Sequence, residues 1–272
     1  MDKKQKHYET VPFPRMRHIV IDALRMGHRK HTVHGLLEAD ITNIRQYIRK
    51  HKIETGETLS FTAFIVSCLG KAVDENKHLH AYRNWRNQLI LFEEVDISTI
   101  IEIELEDNKF PLAHIIRAAN KRTFREIHEE IRSIQTNPQQ DVGSKSKKRS
   151  LAIFMSLPGF IRMFFYGVVS KNPHWLKKSI GTVGLTAIGM FGSGGGWAIT
   201  MTVYNLSIAL GGIAERLVLV DEKIETHEYL SITVSFDHDV IDGAPASRFT
   251  QYLKDLIESG YRLLDEAPFS SS

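Results

Sequence analysis

One segment of the chain joins a strand pattern to a turn: Ser231-Ile232-Thr233-Val234-Ser235-Phe236-Asp237-His238-Asp239-Val240-Ile241-Asp242-Gly243. Its first eight residues alternate between polar and apolar side chains, and His238 has the parity of the apolar ones. Side chains alternate between the two faces of a strand, so the pattern predicts a half-buried strand with His238 on its apolar side. An Asp-Gly turn follows, and the apolar spacing between Pro245 and Gly260 predicts an amphipathic helix. We therefore expect an ionisable ring at a strand end, beside a tight turn.

The composition is that of an ordinary globular protein. The 272 residues are 42% hydrophobic and 25% charged, and the net charge of +3 does not by itself imply a polyanionic partner. The single cysteine, Cys68, excludes an internal disulfide and a multi-cysteine metal site, and it is typical of a reducing compartment. Residues 1–6 are charged and precede no apolar run, so no secretory signal is predicted and a cytoplasmic location is expected.

Helical and strand patterns are mixed along the chain. Ser60 is a predicted N-cap for an apolar helix that contains Cys68, which predicts a buried, unreactive thiol. Thr123 and Glu126 form a predicted capping box at the start of another helix. Strands are predicted at residues 33–39, 89–92, 97–105, 112–116, 182–188, 197–204, 206–210 and 217–220. This mixture predicts an α+β fold with one large mixed sheet flanked by helices.

Five cations surround the first predicted helix, whose apolar positions run from Met16 to Leu24: Arg15, Arg17, Arg25, Arg29 and Lys30. The simplest interpretation of these cations is a solvated helix face. The alternative is a contact with ligand phosphates or with a carboxylate elsewhere in the chain. The sequence leaves both open.

Residues 136–178 form a segment of unusual character. A short basic run at 145–149 lacks interleaved aromatic residues, so no nucleic-acid partner is predicted. The hydrophobic run at 151–169 is interrupted by Pro158 and Arg162, whereas a spanning helix needs about 20 nearly uninterrupted apolar residues. A buried or lid-like helix over residues 160–169 is therefore expected. Attachment of 151–169 to a membrane surface is the less favoured alternative.

The motif His238-x-x-x-Asp242-Gly243, on a strand, turn and helix, resembles the active-site motif of the catalytic domains of 2-oxoacid dehydrogenase acyltransferases and of the related chloramphenicol acetyltransferases. Segments 16–19, 59–64, 71–73 and 181–189 resemble other parts of that domain in the same order, so the resemblance spans roughly residues 15–264. It implies a chloramphenicol acetyltransferase-like fold, with a single catalytic domain at 15–272, an N-terminal arm at 1–14 and an insertion at about 136–178.

The resemblance also implies roles for five residues. His238 is expected to act as a general base that takes the proton of a thiol, and burial would favour the neutral ring that this requires. Thr186 matches a serine of the family, and its hydroxyl is expected to donate a hydrogen bond to a tetrahedral oxyanion. Asp242 is expected to pair with Arg17 and so fix the turn, while Gly243 would supply the backbone freedom that the turn needs.

A homotrimer with active sites at its subunit interfaces is implied as well. Coenzyme A or an acyl-CoA would enter such a site as co-substrate from one side, and an acyl carrier from the other. No metal is expected. Only the catalytic unit is recognised in this sequence, so no bound lipoyl group is expected on it. A lipoyl carrier would then act in trans, or the acceptor would be a soluble small molecule.

Two positions depart from the family pattern. Asp239 follows the motif histidine where the family usually has arginine, and Ala187 follows Thr186 where the family has asparagine. The sequence therefore supports two functions, a CoA-dependent acyltransferase or a catalytically inactive oligomeric scaffold or regulator with the same fold.

Overall fold

The structure, a computed structural model, describes residues 8–14, 17–105, 108–137, 153–188 and 194–263. Its main helices are α1 (Arg17–Gly27), α2 (Thr42–Thr55), α3 (Phe61–Asp74), α4 (Phe124–Thr136), α5 (Gly159–Val169), α6 (Pro173–Ile180) and α7 (Gly243–Glu258). The strands are β1 (Thr32–Asp40), β2 (Tyr82–Arg83), β3 (Leu89–Ile90), β4 (Ile97–Leu105), β5 (Asn108–Ile116), β6 (Val183–Ala187), β7 (Leu206–Val220) and β8 (Lys223–Asp237).

Six of these strands form one mixed sheet in the order β1-β8-β7-β6-β4-β5. Strand β6 runs parallel to both of its neighbours, β4 and β7, while the other pairs are antiparallel. Strands β2 and β3 form a separate short hairpin. The predicted α+β architecture is confirmed, and it places the end of β8 between the ends of β1 and β7.

The core lies between the sheet and helices α3, α4 and α7. Ser60 caps α3 as predicted, since its hydroxyl accepts a hydrogen bond from the Ala63 amide at 3.2 Å. The predicted capping box between Thr123 and Glu126 opens α4. The Cys68 thiol is fully buried in α3, and burial raises its pKa, in agreement with an unreactive core cysteine.

Residues 230–237 of β8 are buried on both faces, so the prediction of a half-buried strand is wrong. Ser231 and Thr233 are as inaccessible as Ile232 and Val234 between them. The polar face is covered by the irregular segment 194–205; at this face the Gly196 amide donates a hydrogen bond to the Ser231 hydroxyl at 3.2 Å. Polar alternation here therefore marks a second packed layer and not a solvent-facing one.

One of the predicted strands is absent, and two others are joined into a single strand. Residues 197–204 have no strand structure, and the strands predicted at 206–210 and 217–220 are parts of one strand, β7, that continues through an irregularity between Leu210 and Ile213. Two glycines at this irregularity, Gly211 and Gly212, allow the backbone of residues 194–196 to approach β7 closely. The Gly212 amide donates to the Gly196 carbonyl at 2.9 Å. The glycines that interrupt the strand pattern in the sequence therefore mark a close backbone contact within a continuous strand.

The hydrophobic segment contains the expected helix, α5. Its Arg162 side chain is buried, and its Nε donates to Oδ2 of the buried Asp22 on α1 at 2.7 Å. In the described ranges, no helix combines the length and apolar character that crossing a membrane requires. The basic run at 145–149 and the residues Arg15 and Met16 lie outside the described residues.

Candidate active site at the end of β8

His238 directly follows the last residue of β8, and its backbone is anchored to the neighbouring chain. Its amide donates to the His31 carbonyl at 2.8 Å, which continues the pairing of β8 with β1 by one step. The residue itself is exposed. The prediction that His238 lies on a buried apolar face is therefore wrong for the single chain. The strand ends one residue earlier, and His238 is exposed among the described residues.

The residue before it, Asp237, belongs to a buried polar network. The Lys30 ammonium donates to Oδ2 of Asp237 at 2.6 Å and also to the side-chain oxygen of Asn205. The Asn205 side-chain amide donates to the Ala81 carbonyl at 2.5 Å, while its backbone carbonyl accepts from the Asp237 amide at 2.9 Å. Asp237 and Asn205 are almost inaccessible to solvent. The network holds the strand end on which His238 is presented.

Of the two interpretations of the early cations, Lys30 fits the contact with a distant carboxylate. Sequence reasoning did not identify Asn205 or Asp237 as part of the site. Asn205 belongs to none of the motifs predicted above, and Asp237 appears there only as a member of the polar parity of β8. Lys30 lies 175 residues from Asn205 and 207 from Asp237, so no local spacing could have revealed the network.

The residue after it, Asp239, faces a second histidine. Nδ1 of His31 lies 2.8 Å from Oδ1 of Asp239, and both side chains are exposed. The hydrogen bond with Asp239 raises the pKa of His31, and the same bond is the main cause of the lowered pKa of Asp239. The charge of Arg83 adds to the lowering of the pKa of Asp239. Where the family usually has a cation, this chain therefore has a carboxylate paired with an imidazole.

The turn after His238 is built without the two features expected of it. Asp242 is the N-cap residue of α7, but its carboxylate makes no capping hydrogen bond and forms no ion pair with Arg17 within the described chain. Gly243 is the first residue of α7, has no positive φ, and a Cβ added to it would meet nothing within 4 Å. The expected Arg17–Asp242 brace and the expected need for glycine are both corrected. The backbone turn is closed instead by the Asp237 carbonyl, which accepts from the amides of Val240 and Ile241 at 3.0 Å each.

Thr186 lies on β6, two strands away from β8. It pairs with Ala209 of β7, which in turn pairs with Thr233 of β8, five residues before His238. With about 3.3 Å per residue along a strand and about 4.8 Å between strands, the Cα atoms of Thr186 and His238 are roughly 19 Å apart. One copy of the chain does not bring the predicted base and the predicted oxyanion donor together.

A cavity of about 470 Å³ opens beside the end of β8; we call it the cationic cavity. It is lined by Asp237, Asp239 and Val240, which are chain neighbours of His238, and by four cations, Arg29, Lys30, Arg83 and Lys171; His238 itself is not a lining residue. Lys30 is neutralised by Asp237. In the described part of the chain, the side chains of Arg29, Arg83 and Lys171 form no ion pair. The cavity therefore has an excess of positive charge, which favours an anionic ligand.

Comparison with known proteins identifies the family. The sequence model described as "2-oxoacid dehydrogenases acyltransferase (catalytic domain)" matches residues 5–146 and 177–264. The chain belongs to this family of acyltransferase catalytic domains. The internal unmatched residues, 147–176, lie inside the segment that sequence analysis predicts to be an insertion.

Individual relatives agree with this assignment. The chain is 25% identical over 267 residues to the dihydrolipoyllysine-residue acetyltransferase component of the pyruvate dehydrogenase complex of Rickettsia prowazekii, covering 95% of this chain and 56% of that protein. The corresponding component of Bacillus subtilis is 25% identical over 254 residues, covering 90% and 49%. The chain thus spans about half the length of these curated relatives.

Solved structures confirm the predicted fold. A probable dihydrolipoamide acetyltransferase from Listeria monocytogenes superimposes with a TM-score of 0.69 at 18% identity, covering 98% of this chain and 99% of that one. The dihydrolipoamide acetyltransferase of Azotobacter vinelandii gives 0.68 at 20% identity, covering 96% of each. The description of the second structure assigns a role in its catalytic mechanism to a serine, to a histidine 52 residues later, and to an asparagine four residues after that.

Proposed function

We propose that this chain is a CoA-dependent acyltransferase that moves an acyl group between a thioester and a thiol, hydroxyl or amine acceptor, with His238 as general base. The observation that carries the proposal is the presentation of His238. Its ring is exposed at the end of β8, while its backbone is fixed by His31 and by the network of Lys30, Asp237 and Asn205. A base held in this way reaches an incoming substrate without reorganising the strand that carries it.

The reaction can be written with this chain's residues for a thiol acceptor. The imidazole of His238 takes the thiol proton, and the sulfur attacks the carbonyl carbon of the thioester to form a new C–S bond and an oxyanion. When the oxyanion collapses, the original C–S bond breaks, and the imidazolium returns its proton to the leaving thiolate. General-base assistance of this kind contributes about 10²–10⁴ in rate.

We infer that the oxyanion donor comes from a second copy of the chain. Thr186 lies too far from His238 in one copy, and both residues keep solvent-accessible surface, as residues completed by a partner would. The separation of 52 residues between Thr186 and His238 equals the serine–histidine separation in the Azotobacter enzyme, and Asp242 stands where that enzyme has its asparagine. We place the active site between subunits of a homotrimer, with Asp242 beside the base.

The cationic cavity is the proposed site for the phosphates of coenzyme A. Arg29, Arg83 and Lys171 approach it from three different segments and offer charge that the described chain does not neutralise. Asp239, which pairs with His31, lines the same cavity and is the chain neighbour of His238. An acyl donor on a lipoyl-type carrier in trans, or a free acyl-CoA, would deliver the same thioester to the base.

The test is thiol release from acetyl-CoA with dihydrolipoamide as acceptor, measured on the purified chain. A His238→Ala variant is expected to lose at least about 10² in kcat. The matched control is His78→Ala, because His78 is also exposed but lies on a short helix outside the site. Wild-type activity in His238→Ala would overturn the proposal. Calorimetry that detects no coenzyme A binding would instead favour the inactive scaffold suggested by Asp239 and Ala187.

A further inference from the structure

Helix α5 has the reverse of the usual amphipathic arrangement. Its one charged residue, Arg162, is buried and paired with Asp22 on α1. On the opposite side, Phe160, Phe164 and Val168 follow one another at intervals of four residues and are 75%, 75% and 57% exposed. Helices of globular domains normally turn their apolar stripe toward the core and their charges toward water. The outward side of α5 therefore leaves apolar surface uncovered within the described chain.

The uncovered surface is broad and runs along the whole helix. At about 3.6 residues per turn, Ile161 and Phe165 extend the row of Phe160, Phe164 and Val168 on one side, and both are also exposed. We call these five residues the α5 face. Large contiguous apolar patches on a protein surface mark contacts with another protein or with a membrane.

The α5 face is a fixed part of the fold because it is packed from its inner side. Phe154 packs on Phe165 at 5.2 Å and on Tyr166 at 5.5 Å between ring centroids. Phe165 in turn packs edge-to-face on Trp175 of α6 at 6.0 Å. The whole face lies in residues 147–176, which the family model does not match. Features shared by the family therefore do not account for it.

Cations border the α5 face on both sides. Toward α1, the Nη1 atom of Arg25 lies 3.6 Å from the position of a Cβ added to Gly159, the first residue of α5. Toward α6, Lys171 follows the end of α5, and Lys178 lies three residues after Trp175 on the same side of its helix. Arg25, Lys171 and Lys178 are exposed. Among the described residues, the two lysines form no ion pair.

The stretch of sequence around α5 carries many cations and no carboxylate. All 32 acidic residues of the chain lie outside residues 142–214. The same stretch contains eight lysines and arginines: Lys145, Lys147, Lys148, Arg149, Arg162, Lys171, Lys177 and Lys178. Of these, Arg162 is neutralised by Asp22 and Lys177 by Asp96. The remaining charge is complementary to an anionic partner, whereas a second copy docked through the same face would bring like charges together.

We propose that the α5 face docks on the surface of a lipid bilayer that contains anionic phospholipids. The phenylalanine rings would enter the boundary between headgroups and acyl chains, while Arg25, Lys171 and Lys178 would lie at the level of the phosphates. Trp85 and Trp175 are exposed beside the face, and indole rings favour this membrane–water boundary. The inference is independent of the proposed acyl transfer.

The chemistry of the α5 face favours a bilayer over an acidic protein as the partner. None of its five side chains carries a hydrogen-bonding group, whereas protein interfaces contain about one hydrogen bond per 100–200 Å². A bilayer requires no such bonds from the inserted face. Aromatic and aliphatic residues flanked by lysine and arginine are the composition of helices that lie in the membrane interface.

The experiment is flotation of the full chain with phosphatidylcholine vesicles that contain or lack phosphatidylglycerol. The wild type is expected to bind the anionic vesicles at least about 10-fold more strongly. Added salt should weaken this binding, because it screens the attraction between the cations and the headgroups. Phe164→Ser should weaken it at least about 10-fold by removing a ring from the centre of the face, while Phe164→Leu should keep most of it. Lys178→Glu should also weaken it about 10-fold.

Matched controls lie on α2, where Lys52 and Ile53 are both exposed. Lys52→Glu and Ile53→Ser make the same chemical changes away from the α5 face and should leave vesicle binding unchanged. Phe160→Ser is a second face variant, and because Phe160 is as exposed as Phe164, neither substitution empties the core.

A wild-type chain that does not float with the anionic vesicles would overturn the proposal, and so would losses in the α2 variants equal to those in the face variants. Light scattering of the same proteins tests the other occupant, a second copy of the chain. The assembly is expected to keep its size in Phe164→Ser. A smaller assembly in that variant would assign the α5 face to a contact between subunits and overturn the docking proposal.

Discussion

Asp22 on α1 and Arg162 on α5 form a buried ion pair that joins the segment unmatched by the family model to the helix preceding the candidate site. Arg162 Nε lies 2.7 Å from Asp22 Oδ2, and its Nη2 lies 3.3 Å from Oδ1, so the contact uses both carboxylate oxygens. Arg162 Nη1 also donates to the Leu157 carbonyl at 2.5 Å. A buried charge pair thus attaches the hydrophobic helix α5 to α1.

Removing the cation of that pair should destabilise the protein. Arg162→Met leaves the Asp22 carboxylate buried without its partner, and the melting temperature is expected to fall on the order of 10 °C. Replacing both residues, as Asp22→Leu with Arg162→Met, should recover more than half of the loss because no charge then remains buried. Arg25→Met is the control, since Arg25 is exposed and its closest approach to Asp22 is 4.0 Å. Simple additivity of the two single variants in scanning calorimetry would contradict this account.

A second prediction concerns the network below His238. Lys30→Met removes the cation that faces the buried Asp237 and is expected to cost about 3 kcal/mol of unfolding free energy. The double variant with Asp237→Asn should recover part of this cost, because the amide carries no charge. Arg29→Met, next along the chain, should leave stability within about 0.5 kcal/mol of wild type because its side chain has no described ion pair. Urea titration measures the unfolding free energy of all three variants. Equal losses in Lys30→Met and Arg29→Met would refute the role of the network.

A third prediction uses the buried His80. Its ring is inaccessible and is held between the Thr182 hydroxyl at 2.9 Å and the Phe92 carbonyl at 3.2 Å, and desolvation lowers its pKa to about 4. The unfolded chain binds a proton at this residue near pH 6.5, whereas the folded chain does not until about pH 4. Stability due to His80 is therefore fully present above pH 6.5 and decreases as the pH falls toward 4, by on the order of 3 kcal/mol.

The variant His80→Gln should flatten the stability curve between pH 6.5 and pH 4 when urea midpoints are compared with wild type. His78→Gln provides the control, because His78 lies in the same short helix and is exposed. A wild-type slope in the His80 variant would show that acid sensitivity in this window arises from other groups.

A fourth prediction compares two glycines. A Cβ on Gly211 would lie 2.0 Å from the Gly196 carbonyl oxygen, so Gly211→Ala is expected to lose about 2 kcal/mol or more of unfolding free energy. A Cβ on Gly243 would meet nothing within 4 Å, so Gly243→Ala should be neutral or stabilise the protein by about 0.5 kcal/mol. Urea denaturation distinguishes them. Greater damage from the second substitution than from the first would restore the original interpretation of the Asp-Gly turn.

The fold predictions that are confirmed rest on local sequence patterns. Ser60 and Thr123 were found because helix caps are encoded within three residues of each helix start, and β6 because its apolar run is short and bounded. The failures have non-local causes. The burial of both faces of β8 depends on the segment 194–205, and the continuity of β7 depends on glycines accommodating that same segment. The side-chain periodicity of β7 and β8 does not indicate which segment packs against these strands.

The candidate site was predictable in part for the same reason. His238 and Asp242 stand out because only three residues separate them on a strand–turn–helix unit. Lys30 and Asn205, which fix the strand end, are joined only by the tertiary fold. The distance between Thr186 and His238 follows from strand order, which the sequence pattern does not specify. Motif matching therefore identified two candidate catalytic residues, Thr186 and His238, that lie far apart in a single chain.

The last prediction tests whether the active site is assembled from two chains. Thr186→Val and His238→Ala are each expected to lower acyl transfer at least about 10²-fold. If the base and the oxyanion donor come from neighbouring subunits, mixed trimers of the two variants contain some interfaces with an intact His238 and an intact Thr186. With random assortment from coexpressed chains, about a quarter of the sites are intact, so activity should return to about a quarter of wild type. If one chain supplied both groups, no site in the mixture would be complete, and activity would stay at the level of the single variants. Coexpression of each variant with itself gives the baseline, and a mixture no more active than that baseline would rule out the shared site.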